Sequence, residues 1–505
     1  MLRIWSDRFI GNPCAAGRPA LCRLPSSGYR ANPSPWHPCP EDRGGGIALS
    51  HVFYRTERNR PIRAASADGA TIADASGKRY IDASGGAAVA CLGHNHPRVI
   101  AAIERQLRTL DYVHSTFFTH SPAEELADWL IRLVPKRGTP DDLDRAYFCS
   151  GGSEAVEAAL KMARQYFVEI GQPQRRTVVS RRQSYHGNTL GALSAGGNMA
   201  RRALYEPLLF DVAHAPPCYA YRDKRADETD EAYGARVADA VEAEILARPP
   251  GTVMAFIAEP IVGATLGAVP PVPGYFKRVR EICDRHGVLM ILDEIMCGMG
   301  RTGSTFVFEE EGVAPDLVVV AKGLGGGFQP VGAVLATRRI YAAIQDGSGA
   351  LKHGHTYEAH PVACAGALEV QKVIAEEDLL ARVRRLGATL SDALVDRLGN
   401  HRHVGDIRGR GLFLGVEIVA DRGSKAPFDP GLAVHDRIRR HAMESGLIIY
   451  PMGGTIDGKR GDHFIVSPPF TLDESLVGVI VDGVASAVDR AIAELPREAA
   501  RAVGH

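Results

Sequence analysis

Two short apolar runs in this chain end in charged residues of opposite sign. Lys322 closes Leu317-Val-Val-Val-Ala321 and is followed by a glycine-rich stretch up to Phe328, while Asp293 closes Val288-Leu-Met-Ile-Leu292. Runs of four or more apolar residues are the pattern of parallel strands buried on both faces. In open α/β sheets ligands sit outside the carboxyl ends of such strands, so both charges would face one site. A lysine held in a dry pocket near other cationic groups gives up its proton readily, and its free amine can attack a carbonyl to form a Schiff base. An aspartate on the neighbouring strand could keep a ring nitrogen protonated and so turn the ring into an electron sink. Either residue alone reads equally well as a solvated strand end. The pair calls for a cofactor with an electrophilic carbon and a basic nitrogen, and pyridoxal phosphate is such a cofactor.

A phosphate would need its own place. Tyr147-Phe-Cys-Ser-Gly-Gly-Ser-Glu-Ala155 sets a glycine-rich turn directly before a helix predicted from Ala155 to about Gln165. Glycines let backbone N–H groups approach a ligand, and a helix N-terminus favours an anion by about 0.3–2 kcal/mol. The competing reading is an ordinary cap, with Ser153 as the N-cap and Glu154 in the first turn. Capping alone does not call for two glycines. Ser184-Tyr-His-Gly-Asn188 adds an aromatic ring on a loop at a strand's end, where it could lie flat on a pyridine.

The elements that must position these residues follow a regular series. His96-Pro97 opens a helix that runs to about Leu110. Before it, Ala73 to Ala90 reads as a short hairpin and a glycine-rich turn. Strands are expected near Arg145–Cys149, Thr177–Ser180, Val253–Ala258, Val288–Leu292 and Leu317–Ala321, alternating with helices. Such a βαβ series predicts a mostly parallel sheet with helices on both faces. After a long helix near Pro361–Glu376 the pattern changes to a helix over Leu379–Leu398, a strand over Gly411–Val419 and a helix over Leu432–Ser445. A strand near Gly446–Tyr450 and a last helix from Asp473 follow. The expected organisation is an extension over 1–46, the N-terminal part of a small domain over 47–95, a large cofactor-binding domain over 96–376, and a C-terminal small domain over 377–496. Residues 1–46 are rich in proline and arginine without a sustained period, which predicts a disordered extension.

Composition narrows the class. With 59 basic and 59 acidic residues in 505, nothing marks a nucleic-acid or membrane surface. No apolar run approaches the roughly 18 residues that span a bilayer. Nine cysteines are scattered without a Cys-x-x-Cys pair, the usage of a reducing compartment, so a cytoplasmic protein without a metal site is expected. Gly298-Met-Gly-Arg-Thr-Gly303 matches a dinucleotide fingerprint, but Ser304–Glu309 does not read as a helix opening and no acid-ended strand follows at the right distance. Asp293-Glu294 resembles the acidic end of a nucleotide hydrolase, yet no G-x-x-x-x-G-K-[ST] occurs, and there is no G-x-S-x-G elbow.

From about His51 to the last helix the chain resembles the class III pyridoxal-phosphate aminotransferases of fold type I. The resemblance rests on Asp82-Ala-Ser-Gly-Gly86, Leu92-Gly-His-Asn-His-Pro97, Ser150-Gly-Gly-Ser-Glu-Ala155, Tyr185-His-Gly187, Ala258-Glu-Pro-Ile261 and Leu292-Asp-Glu-Ile295. It continues, in the same order, through Gly300-Arg-Thr-Gly303, Ala321-Lys-Gly323, His355-Thr-Tyr357, Arg408-Gly-Arg-Gly-Leu412 and Pro468-Pro469. It implies an α/β fold, a large mostly parallel-sheet domain with a smaller α+β domain built from both chain ends. Lys322 would carry the cofactor as a Schiff base and shuttle the proton between the substrate Cα and cofactor C4′. Asp293 would bind the pyridine nitrogen, Ile295 would pack beneath the ring and Tyr185 above it, with His186 and Glu259 beside the cofactor. Gly152 and Ser153 would hold the phosphate, and Thr356 would reach the phosphate of a partner subunit, giving a homodimer with shared sites, alone or paired into a tetramer.

Substrate choice rests on departures from the family pattern. The ornithine and GABA branch pairs a glutamate after the Glu-Pro motif with an arginine before the Pro-Pro, and here those positions hold Ala264 and Ile465. The chain is more similar to the amine:pyruvate and β-alanine:pyruvate branch, which often has a mobile arginine where this sequence has Tyr450. Arg460, on the glycine-rich loop Pro451–Gly461, is a candidate for the missing cation, against the reading of a solvated loop charge. Phe118, beside Phe117, matches a substrate-lining segment of the family and suits an apolar amine, with core packing nearly as good a reading. The expected reaction moves an amino group from an amine or ω-amino acid to a 2-oxo acid, with pyruvate as the acceptor. The same scaffold also carries 2-oxoglutarate-dependent and decarboxylating transaminases, an aminomutase, phospho-lyases and racemases. A catalytically silent cofactor-binding protein is the alternative of another class.

Overall fold

Residues in the apolar runs alternate between two separate cores, as a sheet covered on both faces requires. The structure, a computed structural model, describes residues 50–56 and 60–496. The extension expected over 1–46 lies outside the described residues. Met1–Pro61 forms one unit of the chain and Ile62–His505 the other. In the first, the described residues carry no strand or helix, and the Arg60 guanidinium lies over the Tyr54 ring.

The second unit begins with β1 (Ala64–Asp68), β2 (Thr71–Asp74) and β3 (Arg79–Asp82), an antiparallel meander one strand longer than the expected hairpin. The large sheet is built from β4 (Leu143–Cys149), β5 (Thr177–Arg181), β6 (Val212–Ala215), β7 (Val253–Ala258), β8 (Leu289–Asp293), β9 (Leu317–Val320) and β10 (Gly332–Thr337). Their spatial order is β4-β10-β9-β8-β7-β5-β6. Strands β9, β8, β7, β5 and β6 are mutually parallel, and β10 runs antiparallel to both its neighbours. The reversal has a simple cause. Only residues 321–331 separate β9 from β10, too few for the crossover that a parallel neighbour requires.

Ala255, Ile257, Leu289, Ile291, Leu317 and Val319 point to the core under the helix Gly152–Glu169. Phe256, Ala258, Met290, Leu292, Val318 and Val320 point to the opposite core, with residues of the helices Asp230–Leu246 and Tyr275–His286. That two-sided burial fixes the strand register, because a one-residue slip would exchange the two faces.

The C-terminal part carries β11 (Val404–Arg410), β12 (Phe413–Ile418), β13 (Leu447–Ile448), β14 (Tyr450–Gly453) and β15 (Asp462–Val466). Four of these form an antiparallel sheet in the order β11-β12-β15-β14, and β13 instead pairs parallel with β3. The helices Leu379–Leu398, Val434–Glu444 and Leu476–Ala493 pack on it. The sequence did not announce β6, β10, β11, β14 or β15. Val307–Glu310, after the false dinucleotide fingerprint, is a single helical turn, not a dinucleotide-binding helix.

A buried ionic cluster joins this sheet to the segment that follows β6. Glu417, on β12 and fully buried, accepts from Arg408 Nη1 at 2.6 Å and Arg222 Nε at 2.6 Å, and Tyr219 also donates to it. Removing one member of a buried pair leaves its partner uncompensated, which costs about 3–5 kcal/mol. Glu417→Ala is therefore expected to lower the denaturant midpoint by that much stability, with the transition slope unchanged; an unshifted midpoint would show that the cluster contributes nothing.

Candidate active site

The carboxyl ends of β4, β5, β7, β8 and β9 open on one cavity of about 390 Å³. Asp293 comes from the end of β8 and is buried, and Lys322 comes from the residue but one after β9 and is half-buried. Glu259 follows β7, Tyr185 and His186 follow β5, and Gly152 and Ser153 follow β4. With Ile295, these eight residues predicted from the sequence all line the cavity.

Asp293 is held from two sides. His186 Nδ1 lies 2.7 Å from its Oδ2, and the Ile295 N–H donates to Oδ1 at 3.0 Å. His186 Nε2 reaches Ser180 Oγ at 3.4 Å, which fixes the imidazole on its far side. Burial pushes the Lys322 amine below the usual lysine range, while Asp293 and Glu259 pull the other way. Lys322 also sits at φ 45°, in the left-handed region. A non-glycine residue held there is costly by about 1–3 kcal/mol, and such positions cluster at functional sites. Burial likewise raises the Glu259 carboxyl, and Asp293 adds to the shift. Its Oε1 accepts from the Tyr185 N–H and its Oε2 from the Gly263 N–H, both at 2.7 Å.

The phosphate turn differs from the capping alternative. The helix begins at Gly152, and Gly151 occupies the N-cap with no side-chain cap. Ser153 is therefore not the cap: it lies in the first turn, and its Oγ accepts from the Asn188 N–H at 3.1 Å. Space around this turn is taken up by close approach. A Cβ on Gly152 would meet Ile295 Cδ1 at 2.9 Å, and one on Gly187 would meet Ser153 Oγ at 2.5 Å. An uncapped helix N-terminus on a glycine turn, beside a half-buried amine and a buried carboxylate, fits a cofactor with a phosphate, an aldehyde and a ring nitrogen.

Comparison with known proteins agrees. The family described as "Aminotransferase class-III" matches residues 52–487. The chain belongs to the class III aminotransferases. An uncharacterised aminotransferase of Schizosaccharomyces pombe is 42% identical over 88% of this chain and 96% of its own length. The adenosylmethionine-8-amino-7-oxononanoate aminotransferase of Nitratidesulfovibrio vulgaris is 35% identical over 94% and 83%. The solved structure of an amine transaminase from an uncultivated Pseudomonas species, in its pyridoxal-phosphate-bound form, superposes with a TM-score of 0.81 at 34% identity, covering 88% of this chain and 99% of that one. The fold is accordingly fold type I, and the protein is a pyridoxal-phosphate-dependent transferase.

Three sequence candidates lie away from this cavity. Phe118 is 65% exposed on a surface turn with Phe117, and so is not the core residue that the competing reading required. Thr356 is exposed, and its carbonyl accepts from Tyr112. Arg460 is 58% exposed at its side chain and paired with Asp457 at 2.7 Å within its own loop. That loop is also less free than its glycines suggest, because Gln183 Nε2 donates to Gly454 O at 2.8 Å and Thr455 O at 3.0 Å. Sequence reasoning missed Val89, Met296, Gln329 and Pro330 in the cavity wall. The signal for the last two was available: a glycine run that must turn sharply into β10 brings its own end back over the site. Among the described residues no helix is long and apolar enough to cross a membrane.

Gly187 has φ 134°, and a Cβ there collides with Ser153. Gly187→Ala is expected to weaken cofactor affinity roughly tenfold in an absorbance titration of the apo-protein, in keeping with a strain of 1–3 kcal/mol; unchanged affinity would separate Gly187 from the phosphate turn. The lowered Lys322 pKa sets a pH dependence. Its free amine accumulates as pH rises through the lowered value, so the capture rate of pyridoxal phosphate should rise with pH and level off below the 10.5 of an ordinary lysine. A rate still climbing at that pH would contradict the burial effect.

Proposed function

We propose that the protein transfers the amino group of an amine or ω-amino acid to a 2-oxo acid, with pyruvate as the acceptor. The observation that carries this reading is the convergence of Lys322, Asp293 and the Gly151–Ser153 turn on one cavity. When bound, pyridoxal phosphate supplies an aldehyde carbon that takes up the amino group and a ring that accepts electrons.

The residues around it then have defined tasks. Lys322 Nζ, uncharged at lower pH than an ordinary lysine, would hold the cofactor and would carry the proton taken from the substrate Cα. Asp293 would keep the ring nitrogen protonated, and His186 holds the Asp293 carboxylate in place from 2.7 Å. Gly152 and Ser153 receive the phosphate at the helix N-terminus. Ile295 and Tyr185, both in the cavity wall, would flank the ring. Glu259 ties the Tyr185 loop to the Gly263 loop. The active unit is a homodimer in which Thr356 reaches the partner's phosphate and the exposed Phe118 contributes to substrate contacts across the interface.

The acceptor assignment is supported by Ala264 and Ile465, which leave no glutamate–arginine pair for a second carboxylate. It is also supported by similarity to structures described as amine and omega transaminases. The test is the visible spectrum of the holoenzyme with a panel of donors. The cofactor band should bleach with amines or ω-amino acids and return with pyruvate, and Lys322→Ala should lower turnover by about 10³-fold or more. Recovery with 2-oxoglutarate alone would overturn the acceptor, and a wild-type band that no amine bleaches would overturn transamination.

A further inference from the structure

A substrate that carries a carboxylate meets a charge problem in this cavity. Of the described residues that line it, Glu259 and Asp293 are acidic, and Lys322 is the one lysine or arginine. The Lys322 amine is committed to the reaction itself. A carboxylate at the other end of the substrate therefore needs a cation from beyond the lining, and Arg460 is spent on Asp457.

The short helix Met199–Arg202 offers one. It carries two consecutive arginines, whose side chains leave a helix about 100° apart. Arg202 turns inward and is buried; its guanidinium donates to the carbonyls of Leu193, Ser194 and Gly196 and anchors the helix. Arg201 turns the other way. Its Cζ lies 4.7 Å from the centroid of the Tyr185 ring, which lines the cavity. It is half-buried, and among the described residues its guanidinium has no hydrogen-bond or ion-pair partner.

The helix is also fixed in place from both sides. Asn198 caps it, with Oδ1 accepting from the Arg201 N–H at 3.2 Å. The loop after β14 closes over it: a Cβ on Gly458 would lie 3.1 Å from Ala200 N, and Gln183 holds Gly454 and Thr455. A half-buried guanidinium stacked on an aromatic ring, with its planar donors unspent, is pre-organised for a carboxylate.

We propose that Arg201 is a specificity-determining residue, a fixed cation that receives the carboxylate of an ω-amino acid donor. This rests on the transamination reading above. It places in a rigid helix the charge that Tyr450 cannot supply.

The experiment compares holoenzymes of wild type, Arg201→Gln and Arg201→Lys with 3-aminopropanoate, 6-aminohexanoate and butylamine as donors, following bleaching of the cofactor band. Arg201→Gln should reduce the kcat/KM ratio of the better ω-amino acid to butylamine roughly tenfold or more, mainly through KM. Arg201→Lys should recover part of that ratio, since it restores the charge without the planar fork. An equal loss for both donor classes would overturn the inference, because Arg201 would then only support the Tyr185 ring. No loss for either would overturn it too. A wild type active on some donor with an indifferent variant sinks this inference alone, whereas a wild type inert to every donor sinks the transamination reading together with it.

Discussion

Setting an amine and a carboxylate in one cavity, without spending them on each other, is the constraint on which this structure depends. Asp293 is held by His186 and a backbone N–H, and among the described residues Lys322 forms no ion pair. Each charge is expensive where it stands. What sustains them is the sheet. Strands β7, β8 and β9 are covered on both faces, so their ends cannot relax toward water without giving up two cores at once. The sheet fixes where the charges sit, and the loops fix which way they point.

The loops in turn are held by the C-terminal sheet. Arg408, on β11, donates to the carbonyls of Leu266 and Gly267, and His463, on β15, lies 3.0 Å from the carbonyl of Ala264. The same Arg408 is locked into the Glu417 cluster with Arg222 and Tyr219. The segment 261–269, which contributes Ile261 and Ala264 to the cavity, is thus braced by charges buried far from the reacting groups. A rigid wall of this kind costs stability to build, because each buried ion must be matched. Its return is a substrate side whose shape does not depend on ligand contacts alone.

How far the sequence could be read follows from where its signals are strong. Continuous apolar runs made β7, β8 and β9 legible, along with Asp293 and Lys322 at their ends. β6 and β11 were not legible. Val-Ala-His-Ala is short and carries a polar residue, and Val404–Arg410 alternates with arginines that only the buried acids of the fold explain. β10 was hidden because the glycines before it read as a flexible stretch, when in fact they make the sharp return that an antiparallel strand needs. Ser153 was a fair cap candidate by type, but the helix starts one residue before it, at Gly152, so Gly151 takes that position. Arg460 was chosen by its glycine-rich context, and no local pattern could reveal that Gln183, 271 residues away from Gly454, ties the loop down.

The division between what was and was not legible follows the division of labour in the site. Groups proposed to hold the cofactor sit within a residue or a few of strand ends, so periodicity finds them. Groups that would choose the substrate sit on loops whose position depends on contacts distant in sequence, such as Gly458 against Ala200 or His463 against Ala264. A loop can exchange a residue such as Ala264 for another without disturbing a strand. The cofactor half of a class III aminotransferase is therefore constrained by its sheet, and the substrate half by how its loops are tied. Here they are tied so that Arg201 stacks on Tyr185, while buried apolar residues, Ala264 and Ile465, stand where the ornithine and GABA branch has its glutamate–arginine pair.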